Sequence, residues 1–251
     1  MNKPVQTPNR DHPSIPVYIQ IAENLLDQIE SGVLSPGDRL PPERELSEKL
    51  GVNRLTLRRA LQKLEIQGLL NRRQGAGTYV SEPKIEQPAE FIISFTKGMQ
   101  RRGYIPGAKI VKFENQPVEK SSADDLGLST SDRVYHIFRL RLINQEPVLL
   151  ERLTIPAHRF PGFDRHDLAT RSLYEVMETE YGITALRARQ SLEPVIALNY
   201  EAELLDVLLG APLMLQRRLS FDQDDLPIEY GKDLYRGDRF RFVTEIAPLE
   251  I

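Results

Sequence analysis

The chain has 251 residues, 40% of them hydrophobic and 27% charged, with 33 Lys and Arg against 36 Asp and Glu and a net charge of −3. That is enough apolar content for a core in one large or two ordinary domains, and it excludes disordered, collagen-like and coiled-coil classes. Cysteine is absent, no apolar run reaches the roughly 18 residues of a membrane span, and Met1–Pro16 lacks a signal peptide's apolar segment, so a cytoplasmic protein without disulfides is expected.

The net charge hides an asymmetry. Residues 1–80 carry eleven basic against nine acidic residues, and 54–80 carry six (Arg54, Arg58, Arg59, Lys63, Arg72, Arg73) against Glu65 alone. A local excess of this kind can be an electrostatic footprint for nucleic acid, although charge runs are more often solvated faces.

Residues 1–14 read as a flexible arm and 15–80 as a first domain. Tyr18, Ile21, Ala22, Leu25 and Ile29 recur at helical spacing, and Gly32 suits a left-handed cap. Pro42 at a first helical position, Glu43 and Glu45 in the first turn, and Leu46 and Leu50 predict a short second helix stopped by Gly51. Asn53 is an N-cap for a third helix to about Gln67, with Leu57, Ala60, Leu61 and Leu64 on its core face. Two helices joined by Gly51-Val52-Asn53 are a helix-turn-helix pattern. The free positions of the third helix carry Arg54, Thr56, Arg58, Arg59, Gln62 and Lys63, where such motifs meet the major groove. Leu69–Val80, with Gly75-Ala76-Gly77 at its tip, predicts a basic hairpin, the wing of a winged helix. Without a third glycine and a following helix, that tip is a poor phosphate loop.

These motifs resemble one family. The run Pro36-Gly37-Asp38-Arg39-Leu40-Pro41-Pro42-Glu43-Arg44-Glu45-Leu46, then Gly51-Val52-Asn53-Arg54-Leu55-Thr56-Leu57-Arg58, then Gly68 and Gln74-Gly75-x-Gly77-Thr78, is similar to GntR-family regulators over about Ile15 to Val80. The resemblance implies that Arg44, Arg54, Thr56 and Arg58 contact double-stranded operator DNA, with Gly75 bringing the wing backbone to the minor groove. Asn53, Arg59 and Gln74 are further candidates. Asn53 stands where the family usually has Ser or Thr, which bears on base preference.

Residues 81–90, polar and with prolines at 83 and 88, read as a linker. From 91 to 251 the pattern predicts a helix over Phe91–Arg102, strands over Ile110–Val118, Val134–Ile143, Val148–Ile155, Ala185–Ile196, Leu213–Phe221, Ile228–Tyr235 and Phe240–Ile246, and helices over Ser172–Tyr181 and Asn199–Leu208. That is an α+β domain with a mainly antiparallel sheet. A weak internal repeat joins Ala123, Leu126 and Pro147 to Ala202, Leu205 and Pro227 at offsets of 79, 79 and 80, unless helix–strand–hairpin grammar coincides by chance.

Arg139 and Arg141 share one strand face. With Glu151 nearby and Arg187, Arg189, Ser191 and Glu193 alternating on another strand, these cations either converge on a phosphate or carboxylate or simply face solvent. Ser94–Ile246 resembles the UTRA effector-binding domain of the HutC subfamily, through Phe95-Thr96, Arg102-Gly103, Arg139-x-Arg141, Glu151, Ser172-Leu173-Tyr174, Pro227-x-Glu229-Tyr230 and Tyr235-Arg236-Gly237-Asp238-Arg239-Phe240. The resemblance implies a chorismate-lyase-like fold and a small-molecule effector. Members matching here bind sugar phosphates through Phe95, Thr96, Arg139, Arg141 and Ser172, while Glu151, Glu229 and Tyr235 hold the ligand's polar body, with Tyr174 and Arg189 as added candidates. Other members take carboxylates or fatty acids. An enzyme of chorismate-lyase-like type is a remote alternative, because the four histidines offer no placed acid or base. His158, Asp164, His166 and Asp167 share a loop without metal-site spacing, so no metal or cofactor is expected. The expected protein is a homodimeric repressor on a pseudo-palindrome. Arg58→Ala should damage operator binding alone, and Arg139→Ala the effector response alone.

Overall fold

The computed structural model describes residues 15–73, 76–89 and 94–246. The expected arm over residues 1–14 and the wing-tip candidates Gln74 and Gly75 lie outside them. The chain divides into two compact units, Met1–Glu86 with Gly237–Arg241 and Gln87–Arg236 with Phe242–Ile251.

In the first unit, α1 (Val17–Glu30), α2 (Glu43–Leu50) and α3 (Arg54–Ile66) are followed by the hairpin β1 (Leu70–Arg73) and β2 (Gly77–Val80). The apolar positions spaced by three and four close one core: Ile21, Ala22 and Leu25 from α1, Leu46 and Leu50 from α2, and Leu57, Ala60, Leu61 and Leu64 from α3. Pro42 is not the first helical residue but the extended N-cap one position earlier, at φ −51° and ψ 143°, as Pro16 is for α1 at φ −55° and ψ 139°. Gly51 ends α2 in the left-handed conformation, and the Asn53 side chain accepts the backbone N–H of Thr56 at 2.8 Å to open α3. Gly68 closes α3 at φ +74°, where a Cβ would sit 2.5 Å from the backbone of Asp238; both the backbone angle and the close approach require glycine there.

Ile85–Pro88, inside the segment read as irregular linker, is a short strand, β3. Four residues are too few to show a period, and the partner strand lies far along the chain.

The second unit contains α4 (Phe95–Arg101), β4 (Pro106–Pro117), α5 (Lys120–Leu126), β5 (Arg133–Ile143), β6 (Glu146–Pro156), a 3-10 turn at Phe163–Arg165, α6 (Leu173–Tyr181), β7 (Arg187–Ile196), α7 (Asn199–Leu205), β8 (Pro212–Phe221) and β9 (Pro227–Arg236). Then β10 (Phe240–Val243) pairs with β3. The six long strands form one antiparallel sheet in the order β4-β5-β6-β9-β8-β7. One end of the sheet's first face packs on α6 and the loop before it through Ile137, Leu153, Phe160, Phe163, Val176 and Met177. The other face packs on α7 through Leu140, Leu150, Leu205, Leu213 and Leu234.

That order reads as two copies of one unit. The succession α4-β4-α5-β5-β6 is repeated as α6-β7-α7-β8-β9, and exchanging the halves reverses the sheet onto itself with β6 and β9 at its centre. The helices α5 and α7 begin and end 79 residues apart. Each half's hairpin carries a register shift at the equivalent place, between Arg141 and Leu142 and between Ser220 and Phe221. The weak repeat in the sequence is therefore a real doubling of structure.

Candidate functional sites: a winged helix and a pocket of paired arginines

The first site lies on α3. Its buried stripe leaves Arg54, Arg58 and Arg59 exposed and Thr56 half-buried. Arg44 on α2 is exposed too, with a loose contact to Glu48 at 3.9 Å. Asn53, exposed, uses its side chain as the cap just described. Arg58 is bound to Glu43 at 2.7 Å, and the same carboxylate binds Arg72 of β1 at 2.6 Å. Glu43 thus fixes one cation of the helix and one of the hairpin to the start of α2, a positioning role that reading the acid as a helix-dipole partner alone had missed. Together, α2, the Gly51-Val52-Asn53 turn, α3 and the hairpin make a winged helix-turn-helix with a basic exposed helix.

The second site lies on the first face of the large sheet and is built from the repeat. Ser94, the N-cap of α4, and Ser172, the N-cap of α6, are equivalent residues 78 apart, and their hydroxyls meet at 2.7 Å. Arg139 of β5 and Arg218 of β8 are likewise equivalent, 79 apart. Arg139, 1% exposed, holds Glu151 through Nε at 2.7 Å and Nη2 at 2.5 Å, and donates Nη1 to the carbonyl of Leu168 at 3.1 Å. Arg218 mirrors it: Nη2 binds Glu229 Oε1 at 3.0 Å and Nη1 binds Asp233 Oδ2 at 3.1 Å. The Tyr174 hydroxyl donates to Glu229 at 3.0 Å, and Ser220 donates to it at 2.8 Å.

Arg141 differs from these two. Its Nη2 donates to Thr96 Oγ1 at 2.8 Å and its guanidinium lies 4.6 Å from the Phe95 ring centre, but Glu151 is 4.0 Å away and its buried Nε has no hydrogen-bond partner. Burial lowers its pKa to about 10, against the pull of Glu151, so it remains a cation at neutral pH. Burial resists ionisation of Glu151, but Arg139, Arg141 and Arg218 outweigh it and hold that carboxyl below its usual range. Burial raises the Tyr174 and Tyr235 phenols, which stay neutral hydroxyls. The cavity they enclose is lined by Ser94, Phe95, Thr96, Arg139, Arg141, Glu151, Ser172, Leu173, Tyr174, Arg218 and Tyr235. About 30 Å³ of it is free, room for water but far below the roughly 300–1,000 Å³ of an organic ligand site.

Of the residues read from the sequence, Phe95, Thr96, Arg139, Arg141, Glu151, Ser172, Tyr174 and Tyr235 line this cavity. Glu229 lies just beneath it, bound to Arg218 and Tyr174. Arg189 is a correction. Cross-strand pairing sets Gln190 opposite Arg218, so the period of two turns Arg189 to the opposite face, opposite Leu219, where it is exposed. Arg218, Ser94 and Asp233 were missed, although the repeat offset from Arg139 points straight to Arg218.

A winged helix-turn-helix joined to a domain with a small polar cavity lined by three arginines defines a DNA-binding regulator whose second domain is a sensor. The chain belongs to the gntR family of bacterial regulatory proteins, whose model matches residues 17–80, and carries a UTRA domain over residues 101–241. It is 38% identical to the HTH-type transcriptional repressor NagR of Bacillus subtilis (strain 168), covering 94% of this chain and 96% of that protein. It is 30% identical to the mannosyl-D-glycerate transport/metabolism system repressor MngR of Escherichia coli (strain K12), covering 90% and 94%. The crystal structure of PhnF from Mycobacterium smegmatis matches with a TM-score of 0.64 at 33% identity, over 90% of this chain and 99% of that one. This protein is a transcriptional repressor of the GntR and UTRA type, not an enzyme. Such regulators bind operator DNA through the first domain and a small-molecule effector through the second. Among the described residues, no helix is long and apolar enough to cross a membrane.

Proposed function

We propose that the effector is a small anionic metabolite, a sugar phosphate in the first instance, and that it controls the repressor's hold on its operator. The single observation that carries this reading is Arg141: a buried guanidinium with an unpartnered Nε, beside two facing serine hydroxyls and Thr96. A phosphate can take bidentate hydrogen bonds from such a guanidinium and further bonds from those hydroxyls. Glu151, Tyr174 and Tyr235 offer polar partners for the hydroxyls of an attached sugar. Because the free space is small, the ligand must exchange Arg141's contacts with Phe95 and Thr96 for its own, which couples binding to the start of α4.

The regulator works as a homodimer on this reading. One winged helix makes too few base contacts for strong specificity, and two copies read half-sites about one helical turn apart. DNA contacts come from Arg44, Asn53, Arg54, Thr56, Arg58 and Arg59, with Gln74 and Gly75 at the wing tip. An effector that prefers one arrangement of the heads changes operator affinity by its differential affinity for the two states.

The test is thermal unfolding against sugar phosphates, free sugars, carboxylates and fatty acids. A ligand near 100 times its dissociation constant adds about 2.7 kcal/mol, a shift of several degrees. Stabilisation by sugar phosphates, lost in Arg141→Ala, is expected. Stabilisation confined to carboxylates or fatty acids would replace the phosphate assignment, and stabilisation that survives Arg141→Ala would place the anion elsewhere.

A further inference from the structure

The central strands carry three arginines and three carboxyls on the site's face, and the carboxyls are not equivalently served. Arg139 binds Glu151 through two nitrogens. Glu229 takes two nitrogens of Arg218 and two hydroxyls, from Tyr174 and Ser220. Asp233 receives one contact, from Arg218 Nη1 at 3.1 Å, and Gln216 Oε1 shares that nitrogen at 3.3 Å. Its other oxygen, Oδ1, is buried with no hydrogen-bond partner, on a residue 1% exposed. Its register partner on β6 is Glu151, another carboxyl. The charged and titratable groups facing it are Arg139 and Arg141 from β5, Glu151 from β6, Arg218 from β8 and Glu229 and Tyr235 from its own strand, with Tyr174 of α6 beyond Glu229. A carboxylate oxygen that is desolvated, unpaired and set against a like charge favours its protonated form.

We propose that Asp233 holds a proton at neutral pH and thereby sets the charge of the effector site. With Asp233 neutral, Arg139 and Arg218 are balanced by Glu151 and Glu229, and the cation of Arg141 is left over for an anionic ligand. With Asp233 ionised, the three cations meet three anions and the surplus disappears. This role rests on the effector-site reading above and adds a residue that need not touch the ligand. Burial pushes the Asp233 carboxyl up to about 8, with Glu151 reinforcing and Arg218 opposing.

An aspartate in the unfolded chain titrates near 3.9, so between that value and about 8 the folded state binds one more proton. Asp233 therefore makes stability fall as pH rises through this window, and its contribution levels off above it. A bound anion favours the protonated form, so anion affinity should weaken above the window, by up to about tenfold per pH unit.

The test is a carbon-13 titration of the full-length protein with its aspartate carboxyls labelled. One resonance is expected to titrate with a midpoint near 8 and to be missing from Asp233→Asn. If every aspartate carboxyl titrates below about pH 5, the proposal is overturned, and this readout needs only the wild type. As a second arm, sulfate does not titrate in this range. It should stabilise the wild type less at about pH 9 than at about pH 7, and Asp233→Asn equally at both; equal wild-type stabilisation at the two pH values, including none, overturns the proposed control of charge. A ligand panel without an anionic hit would sink the effector reading while leaving the midpoint standing, so the two failures can be told apart.

Discussion

At the scale of single residues, Arg139 and Arg141 stand two apart on one strand face yet do different work. Arg139 spends all three of its guanidinium nitrogens on Glu151 and the Leu168 carbonyl. Removing it leaves a buried carboxylate without its two direct arginine contacts, the Arg141 guanidinium being 4.0 Å away. Loss of one partner of a buried pair costs about 3–5 kcal/mol, so Arg139→Ala should unfold the second unit at markedly lower denaturant. Arg141→Ala leaves the Arg139–Glu151 pair intact and should cost less stability while removing anion binding. Denaturant melts of the two variants check this, and equal losses would contradict the division of roles. The sequence spacing places both arginines on one face, but which one is structural depends on which carboxylate lies opposite, and that is a matter of register.

Register belongs to the scale of elements. In the β5–β6 hairpin, Ile143 pairs with Glu146 and Leu142 with Pro147, but Arg141 pairs with Leu149, so Val148 is an extra residue. Without that bulge Arg139 would face Leu150, and Glu151 would point to the α7 side. A one-residue slip moves every side chain to the other face. The second hairpin repeats the device: Phe221 pairs with Pro227 and Ser220 with Glu229, which brings Glu229 onto the site's face. Strand existence and the repeat were legible from alternation and from the 79-residue offset. The bulges were not, because an extra residue in a hairpin looks like ordinary apolar sequence; Arg189, on a strand that pairs with β8 without a bulge, faces away because the site's face of β7 is the one that carries Gln190. The first unit was more legible, since caps such as Asn53 and Gly51 act through local chemistry that a single residue type announces. On that unit's α3, Arg58 is exposed but anchored to Glu43. Arg58→Ala is expected to cost about 1–3 kcal/mol in specific operator binding and to leave sugar-phosphate stabilisation unchanged. Gel-shift titrations alongside thermal melts check both halves, and damage to both activities would contradict the separation of the modules.

At the scale of the molecule, the second domain is a doubled unit whose two halves have diverged at the site. Arg139 and Arg218 keep the same place in both, and Ser94 and Ser172 still meet. Arg141 corresponds to Ser220 by the 79-residue offset, and Thr96 to Tyr174 by the 78-residue offset that relates the serines. The contact Arg141 to Thr96 in one half is therefore repeated as Ser220 to Tyr174 in the other. The cation survives on one side only, and Glu229 fills the other. A symmetric scaffold has become a polarised pocket. Sequence alone shows neither this asymmetry nor its centre, because both depend on two halves folding back on each other.

On the proposed reading, an anion at Arg141 controls the grip on DNA. The most direct measurement is the affinity and stoichiometry for an operator selected from random duplexes, with and without the sugar phosphate that stabilises the protein. Two chains per operator are expected, with a change in affinity of about 5–150-fold that is abolished in Arg141→Ala although that variant still binds the operator. An operator affinity unmoved by a ligand that demonstrably binds, or moved equally in Arg141→Ala, would contradict it.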